Sequence, residues 1–156
     1  MVTSRKTESA ARRILLVDDH PFLRMGLAQF LNSQPDLVVC GEAGDPREAM
    51  LQVEKSKPDL VLLDLNLPGK GGLELIKDIR ALHPELPVLV LSMHDEPQYA
   101  PRVLRAGARG YIMKSEPVSR MADGIREVFR GKMVVSDRMA SLILEIFAGS
   151  GTSEGT

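Results

Sequence analysis

Short unbroken aliphatic runs alternate along the chain with longer segments whose apolar positions recur at helical spacing. In Asp59-Leu60-Val61-Leu62-Leu63-Asp64-Leu65-Asn66-Leu67-Pro68-Gly69, four consecutive aliphatic residues lead into a carboxylate, and a Pro-Gly turn follows. A short apolar run with β-branching, bounded by turn residues, predicts a strand buried on both faces. Arg13-Ile14-Leu15-Leu16-Val17 is a second such run and stops at Asp18-Asp19. Asp36–Ala43, the stretch from Pro87 to Ser92, and Tyr111-Ile112-Met113-Lys114 predict the remaining strands.

Helices are expected between them. Pro21–Leu31 offers Phe22, Leu23, Leu27, Phe30 and Leu31 as an apolar face. Asp45-Pro46 reads as an N-cap followed by Pro at the first helical position, opening a helix that ends before Lys57-Pro58. From about Gly72 to Leu82, a helix takes its apolar side from Leu73, Leu75, Ile76 and Ile79. Glu96–Ala106 is helical in pattern but contains Pro97 and Pro101. A Pro beyond the first turn removes a hydrogen bond, which predicts a short, late-starting or irregular N-terminal end. Pro117–Arg130 and Asp137–Ala148, the latter N-capped by Ser136, complete the helices.

Strand and helix thus alternate five times, which predicts an α/β fold. The expected form is a doubly wound five-stranded parallel sheet of order 2-1-3-4-5, with helices on both faces and an extra C-terminal helix. The expected division is a disordered tail over 1–12, one domain over 13–132, an additional or linker helix over 133–148, and a flexible Gly/Ser/Thr-rich tail over 149–156.

Composition narrows the classes without choosing among them. The 156 residues suit one domain, and 20 Lys+Arg against 21 Asp+Glu leave no basic excess, so no DNA contact by this chain itself is expected. The single cysteine, Cys40, sits in an apolar run and reads as a buried, inert thiol. With no run approaching a membrane span and no apolar signal core, a cytoplasmic protein is expected, with no membrane partner.

The candidate chemistry stands at the strand ends. In the 2-1-3-4-5 order the switch point lies between the first and third strands, where ligands bind beyond the strands' carboxyl ends. Asp18 and Asp19 end the first strand and Asp64 the third; Ser92 and Lys114 end the fourth and fifth. Three carboxylates in one crevice repel one another unless a cation is present, and a small open set of hard oxygen donors suits Mg²⁺. Lys and Ser beside them can hold anionic substrate oxygens. The set reads as a phosphoryl-transfer site in which a carboxylate attacks the phosphoryl group.

The order Asp18-Asp19, Asp64 with Pro68-Gly69 after it, Ser92, and Tyr111-Ile112-Met113-Lys114 strongly resembles the receiver domain of bacterial two-component response regulators, over about residues 12–132. Val17-Asp18-Asp19-His20, Gly107-Ala108-Arg109-Gly110-Tyr111 and Gly131-Lys132 look most like the NarL/FixJ subfamily, in which a LuxR-type helix-turn-helix usually follows. The resemblance implies that Asp64 accepts a phosphoryl group from a sensor histidine kinase. Asp19 directly, Asp18 mainly through water, Asp64 and the main-chain carbonyl of Asn66 would hold Mg²⁺. Ser92 and Lys114 would bind the phosphoryl oxygens, with Tyr111 as the aromatic that swings inward as Ser92 moves. The expected partners are that kinase and a second copy on phosphorylation. DNA would be reached only through a C-terminal domain absent from this chain. The domain would promote only its own phosphorylation and dephosphorylation, and so would not be an enzyme.

The same residues depart from the receiver pattern in places and admit rival readings. Ser115, where many receivers have Pro, leaves the Lys114–Ser115 bond geometry open. Asn66 and His94 stand where side chains tune the dephosphorylation rate in such domains. Ser92, His94 and Asp95 do not form a hydrolase triad, and Gly69-Lys70-Gly71-Gly72 lacks the phosphate-loop pattern. A phosphatase with an Asp nucleophile usually carries a second Asp two residues on, where this chain has Asn66. A phosphate-free interaction module is the third alternative. His20 reads as a loop residue near the site.

Overall fold

Neighbouring residues of each strand serve opposite layers, and this alternation divides the core in two. The computed structural model describes residues 11–67, 71–93 and 96–155. Its elements run β1 (Arg12–Val17), α1 (Pro21–Asn32), β2 (Leu37–Ala43), α2 (Pro46–Ser56), β3 (Leu60–Asp64), α3 (Gly71–Leu82), β4 (Val88–Ser92), α4 (Glu96–Ala106), β5 (Gly110–Met113), α5 (Val118–Phe129) and α6 (Asp137–Gly155). Leu15, Val17, Val61, Leu63, Val90 and Tyr111 pack with residues of α2, α3, α4 and α6. Ile14, Leu16, Leu60, Leu62, Leu89 and Ile112 pack with those of α1 and α5. Both faces of every central strand are therefore dry, which is why those strands read as unbroken apolar runs.

The sheet order is β2-β1-β3-β4-β5, all parallel, as the alternation predicted. Register carries the strand ends to one edge. Val17 pairs with Leu63, Asp64 with Leu91, and Ser92 with Met113. The carboxylates after β1, the carboxylate ending β3, the Ser ending β4 and the Lys after β5 thus share one rim.

Local chemistry sets the helix ends that frame this rim. Asp45 caps α2 by accepting from the Glu48 amide at 2.8 Å, while Glu48 Oε1 reaches back past the cap to accept from the Gly44 amide at 2.7 Å. Gly72 lets α3 start against the end of β3: a Cβ there would lie 2.5 Å from the Leu65 carbonyl oxygen. The Gly72 amide instead donates to that oxygen at 3.0 Å.

Several expectations are corrected. α4 starts at Glu96 and runs through Pro101 to Ala106, neither short nor late. A first-turn Pro lacks only an amide that would have no helical partner, and Pro101 forfeits a single bond, so packing of Ala100 and Val103 into the core outweighs it. Phe22 and Leu23 on α1 are exposed, and the helix buries Leu27, Ala28 and Leu31. Cys40 is half-buried on the edge strand β2, where burial pushes its thiol up from the usual value. α6 continues past Ala148 through the Gly/Ser/Thr-rich segment expected to be a flexible tail. Gly and Ser lower helix propensity by at most about 1 kcal/mol per residue, and only Pro would forbid the geometry.

α6 is a packed helix. Its Met139 is fully buried, Ser136 Oγ accepts from the Met139 amide at 3.0 Å as its cap, and Leu142 and Ile143 pack against the core, while Ile143 and Ile146 line a pocket shared with Pro101, Leu104 and Arg105 of α4. Just before it, Val134 pairs with Gly110 and covers the outer edge of β5. No cis peptide bond is present among the described residues, so Lys114–Ser115 is trans. Pro68, Gly69, Lys70, His94 and Asp95 lie outside the described residues, as do 1–10 of the expected N-terminal tail.

Candidate functional site

Strand ends deliver the polar groups into a dry rim. Asp18 is 1% exposed, Asp64 3% and Ser92 0%, and they are the buried polar residues of the described chain. Asp19, by contrast, is open to solvent. Lys114, its side chain only 8% exposed, reaches between two of the carboxylates, with Nζ 3.1 Å from Asp18 Oδ2 and 3.2 Å from Asp64 Oδ2. Its hydrogen bond goes to Asp18. The Lys114 amide donates to the Ser92 carbonyl at 2.8 Å, which ties the ends of β4 and β5 together.

Asp64 has an unbalanced environment. Oδ1 accepts from the Asn66 amide at 3.2 Å, whereas buried Oδ2 accepts no hydrogen bond among the described residues. Burial pushes its carboxyl above the usual range. The Asn66 amide and the Lys114 charge pull it down by less, and Asp18 adds to the rise. One ammonium does not satisfy this pocket. A buried carboxylate oxygen left without a hydrogen bond beside two further carboxylates fits a hard divalent cation completed by water and phosphate oxygens. Asp18, Asp19, His20 and Asp64 each offer a ligand atom, all within 4.8 Å of one another.

His20 is the residue that sequence reasoning undervalued. Its Nδ1 stands 3.0 Å from Asp19 Oδ1, 3.1 Å from Asp18 Oδ1 and 3.7 Å from Asp64 Oδ2. His20 is the N-cap of α1, yet its side chain makes no cap hydrogen bond, and its amide donates to Asp18 Oδ1 at 2.8 Å. The available signal was Pro21 at the first helical position, which fixes His20 as the turn residue directly after the paired carboxylates.

The predicted residues therefore divide plainly. Asp18, Asp19, Asp64 and Lys114 come together. Ser92 lies buried at the same rim, with its carbonyl bonded to Lys114. Asn66 contributes its amide to Asp64 and is itself exposed. Tyr111, in mid-strand, is 1% exposed, and its ring is packed in the layer of α4 and α6.

The doubly wound sheet thus carries an acidic pocket and one nearly buried ammonium at its switch point, a donor set that a divalent cation could occupy. The comparisons place it: the chain matches the response regulator receiver domain over residues 14–126 and belongs to that family, the phosphoacceptor module of two-component systems. It is 35% identical over 142 residues to the response regulator GacA of Pseudomonas protegens, a match spanning 90% of this chain and 67% of that protein. A two-component response regulator of the LuxR family from Aurantimonas sp. SI85-9A1 superposes with a TM-score of 0.81 at 34% identity, covering 88% of this chain and 99% of that one. RcsB from Salmonella enterica serovar Typhimurium, solved bound to promoter P1flhDC with the phosphomimetic BeF3-, gives 0.76 at 26% identity over 88% of this chain and 69% of that one. The chain thus spans about two thirds of such regulators' length. No helix among the described residues is long and apolar enough to cross a membrane.

Proposed function

We propose that Asp64 is the phosphoacceptor of this receiver. A carboxylate oxygen of Asp64 attacks the phosphorus of a sensor kinase's phosphohistidine; the P–N bond breaks, the imidazole nitrogen keeps that electron pair and takes a proton, and an acyl phosphate remains on Asp64. The observation that carries this reading is Asp64 itself, nearly fully buried with one oxygen lacking a hydrogen bond and a Lys ammonium 3.2 Å away.

Asp18, Asp19, Asp64 and the Asn66 carbonyl would hold Mg²⁺, which when bound neutralises the pocket and stabilises charge on the transferring group. Lys114 then faces a phosphoryl oxygen in place of the Asp64 carboxylate, and Ser92 offers its hydroxyl to another. The phosphoryl group, which replaces the carboxylate's single negative charge with about −1.5 to −2, favours whichever arrangement brings Ser92 and Lys114 onto it. Tyr111, two strand positions before Met113, follows that movement and alters the face formed by β5, α4 and α5. A second copy reads the altered face, and the output is DNA binding in the cytoplasm; RcsB, solved bound to a promoter, is the analogy for the DNA-binding part alone.

Acetyl phosphate with Mg²⁺ should add one phosphoryl mass to the intact chain and none to Asp64→Asn. Steady turnover of many phosphate esters would favour an Asp-nucleophile phosphatase. Absence of any adduct, together with no beryllofluoride binding, would favour an interaction module that never carries phosphate.

A further inference from the structure

We propose that His20 decides which divalent cations the acidic pocket accepts, by offering an imidazole ligand that oxygen-preferring Mg²⁺ leaves unused and that Co²⁺, Ni²⁺ or Zn²⁺ takes up. The inference deepens the metal-dependent reading above and rests on it.

The spacing carries the argument. Ligands at about 2.1 Å in an octahedral shell stand about 3.0 Å apart when adjacent. His20 Nδ1 lies 3.0 Å from Asp19 Oδ1 and 3.1 Å from Asp18 Oδ1, the latter a hydrogen bond in the metal-free chain, and both distances match the edge length of such a shell. The contact to Asp64 Oδ2, at 3.7 Å, is looser, so the imidazole groups with the two β1-end carboxylates.

The backbone aims the ring. His20 sits at φ −98°, ψ 102°, in the extended region, and Pro21 follows at the first helical position. The His20 amide is held by Asp18 Oδ1. The side chain is released from capping, which an N-cap residue of another type would perform. At 63% exposure the ring can turn into water when a cation does not use it, which leaves that vertex to a water molecule.

Cation preference follows from ligand type. Mg²⁺ demands oxygen donors and keeps several waters, while imidazole suits the later first-row metals. Three carboxylates alone discriminate weakly among these ions except by the general order of affinities. An imidazole at one further vertex, beside these oxygen donors and the Asn66 carbonyl, adds a term that only the nitrogen-tolerant ions collect.

The test is calorimetric titration of Mg²⁺ and of Co²⁺ into the whole chain at one fixed pH, for the wild type, His20→Ala, His20→Asn and Asp64→Asn. Co²⁺ absorption and paramagnetically shifted imidazole proton signals serve as independent readouts. His20→Ala and His20→Asn should weaken Co²⁺ about tenfold or more with Mg²⁺ essentially unchanged. The shifted imidazole signals of the wild type should vanish in both. Equal effects on both ions, or no effect on either, would mean that His20 makes a hydrogen-bonding contact only and would overturn the proposal. A wild type whose Mg²⁺ binding ignores Asp64→Asn would instead overturn the metal-site reading beneath it.

Discussion

Asp64 joins a stability cost to a chemical use. Burial raises its carboxyl above the usual range, so the folded chain takes up that proton at a higher pH than the unfolded chain does. Between the ordinary value and the raised one the folded state binds the extra proton, and stability falls as pH rises through that window. Above it, the full penalty of an ionised buried carboxylate is present. Metal-free Asp64→Asn should therefore unfold at higher denaturant than the wild type at neutral pH, and the gap should close as pH falls through the carboxylate range. Equal midpoints at neutral pH would contradict this. Lys114 is the counterpart. Without it, Asp18 and Asp64 keep their burial and lose their ammonium, so metal-free Lys114→Ala should keep its fold but lose up to about 3–5 kcal/mol, much of it recovered on adding Mg²⁺. The same variant should accept beryllofluoride without the dimerisation response of the wild type; an unchanged response would refute the coupling role of Lys114. These residues were legible because each follows an apolar run and the strand order brings such ends together. The part of His20 was not. It depends on a backbone turn that points the ring back at the carboxylates, and no periodicity encodes that turn.

Elements whose sequence signal was a hydrophobic run or a cap came out where expected; those governed by packing did not. Asp45-Pro46 and Ser136 mark the starts of α2 and α6 through side-chain acceptors visible in the sequence. The exposed Phe22 shows the limit of the pattern: an apolar residue in helical phase stays in water when no neighbour covers its end of α1. Val134 was missed for a related reason. A single bridge residue makes no run, yet its carbonyl accepts from the Tyr111 amide at 2.8 Å and its amide donates to Arg109 at 3.0 Å. This contact needs Gly110, where a Cβ would come within 2.5 Å of the Val134 oxygen and 2.8 Å of Leu89 Cδ1. Gly110→Ala should cost about 1–3 kcal/mol by denaturant unfolding and speed amide exchange at Tyr111. Unaltered exchange at Tyr111 would mean that the edge is not held by this pairing.

Across the whole molecule, the acidic rim and the packed C-terminal helix are joined through β5. Lys114 follows that strand at the pocket, Tyr111 within it packs beside Val90 in the α4–α6 layer, and Val134 seals its edge just before α6. A shift of the β4–β5 ends toward a phosphoryl group would therefore be felt by α4 and by α6 upon it. Such a shift can be no larger than the difference in interaction energy between the two arrangements. All of it begins with a bond to one carboxylate. Borohydride reduction of the chain after treatment with acetyl phosphate and Mg²⁺, followed by peptide sequencing, should find homoserine at position 64 and nowhere else. Homoserine at position 18 or 19, or none at any position under conditions that label another receiver, would contradict it.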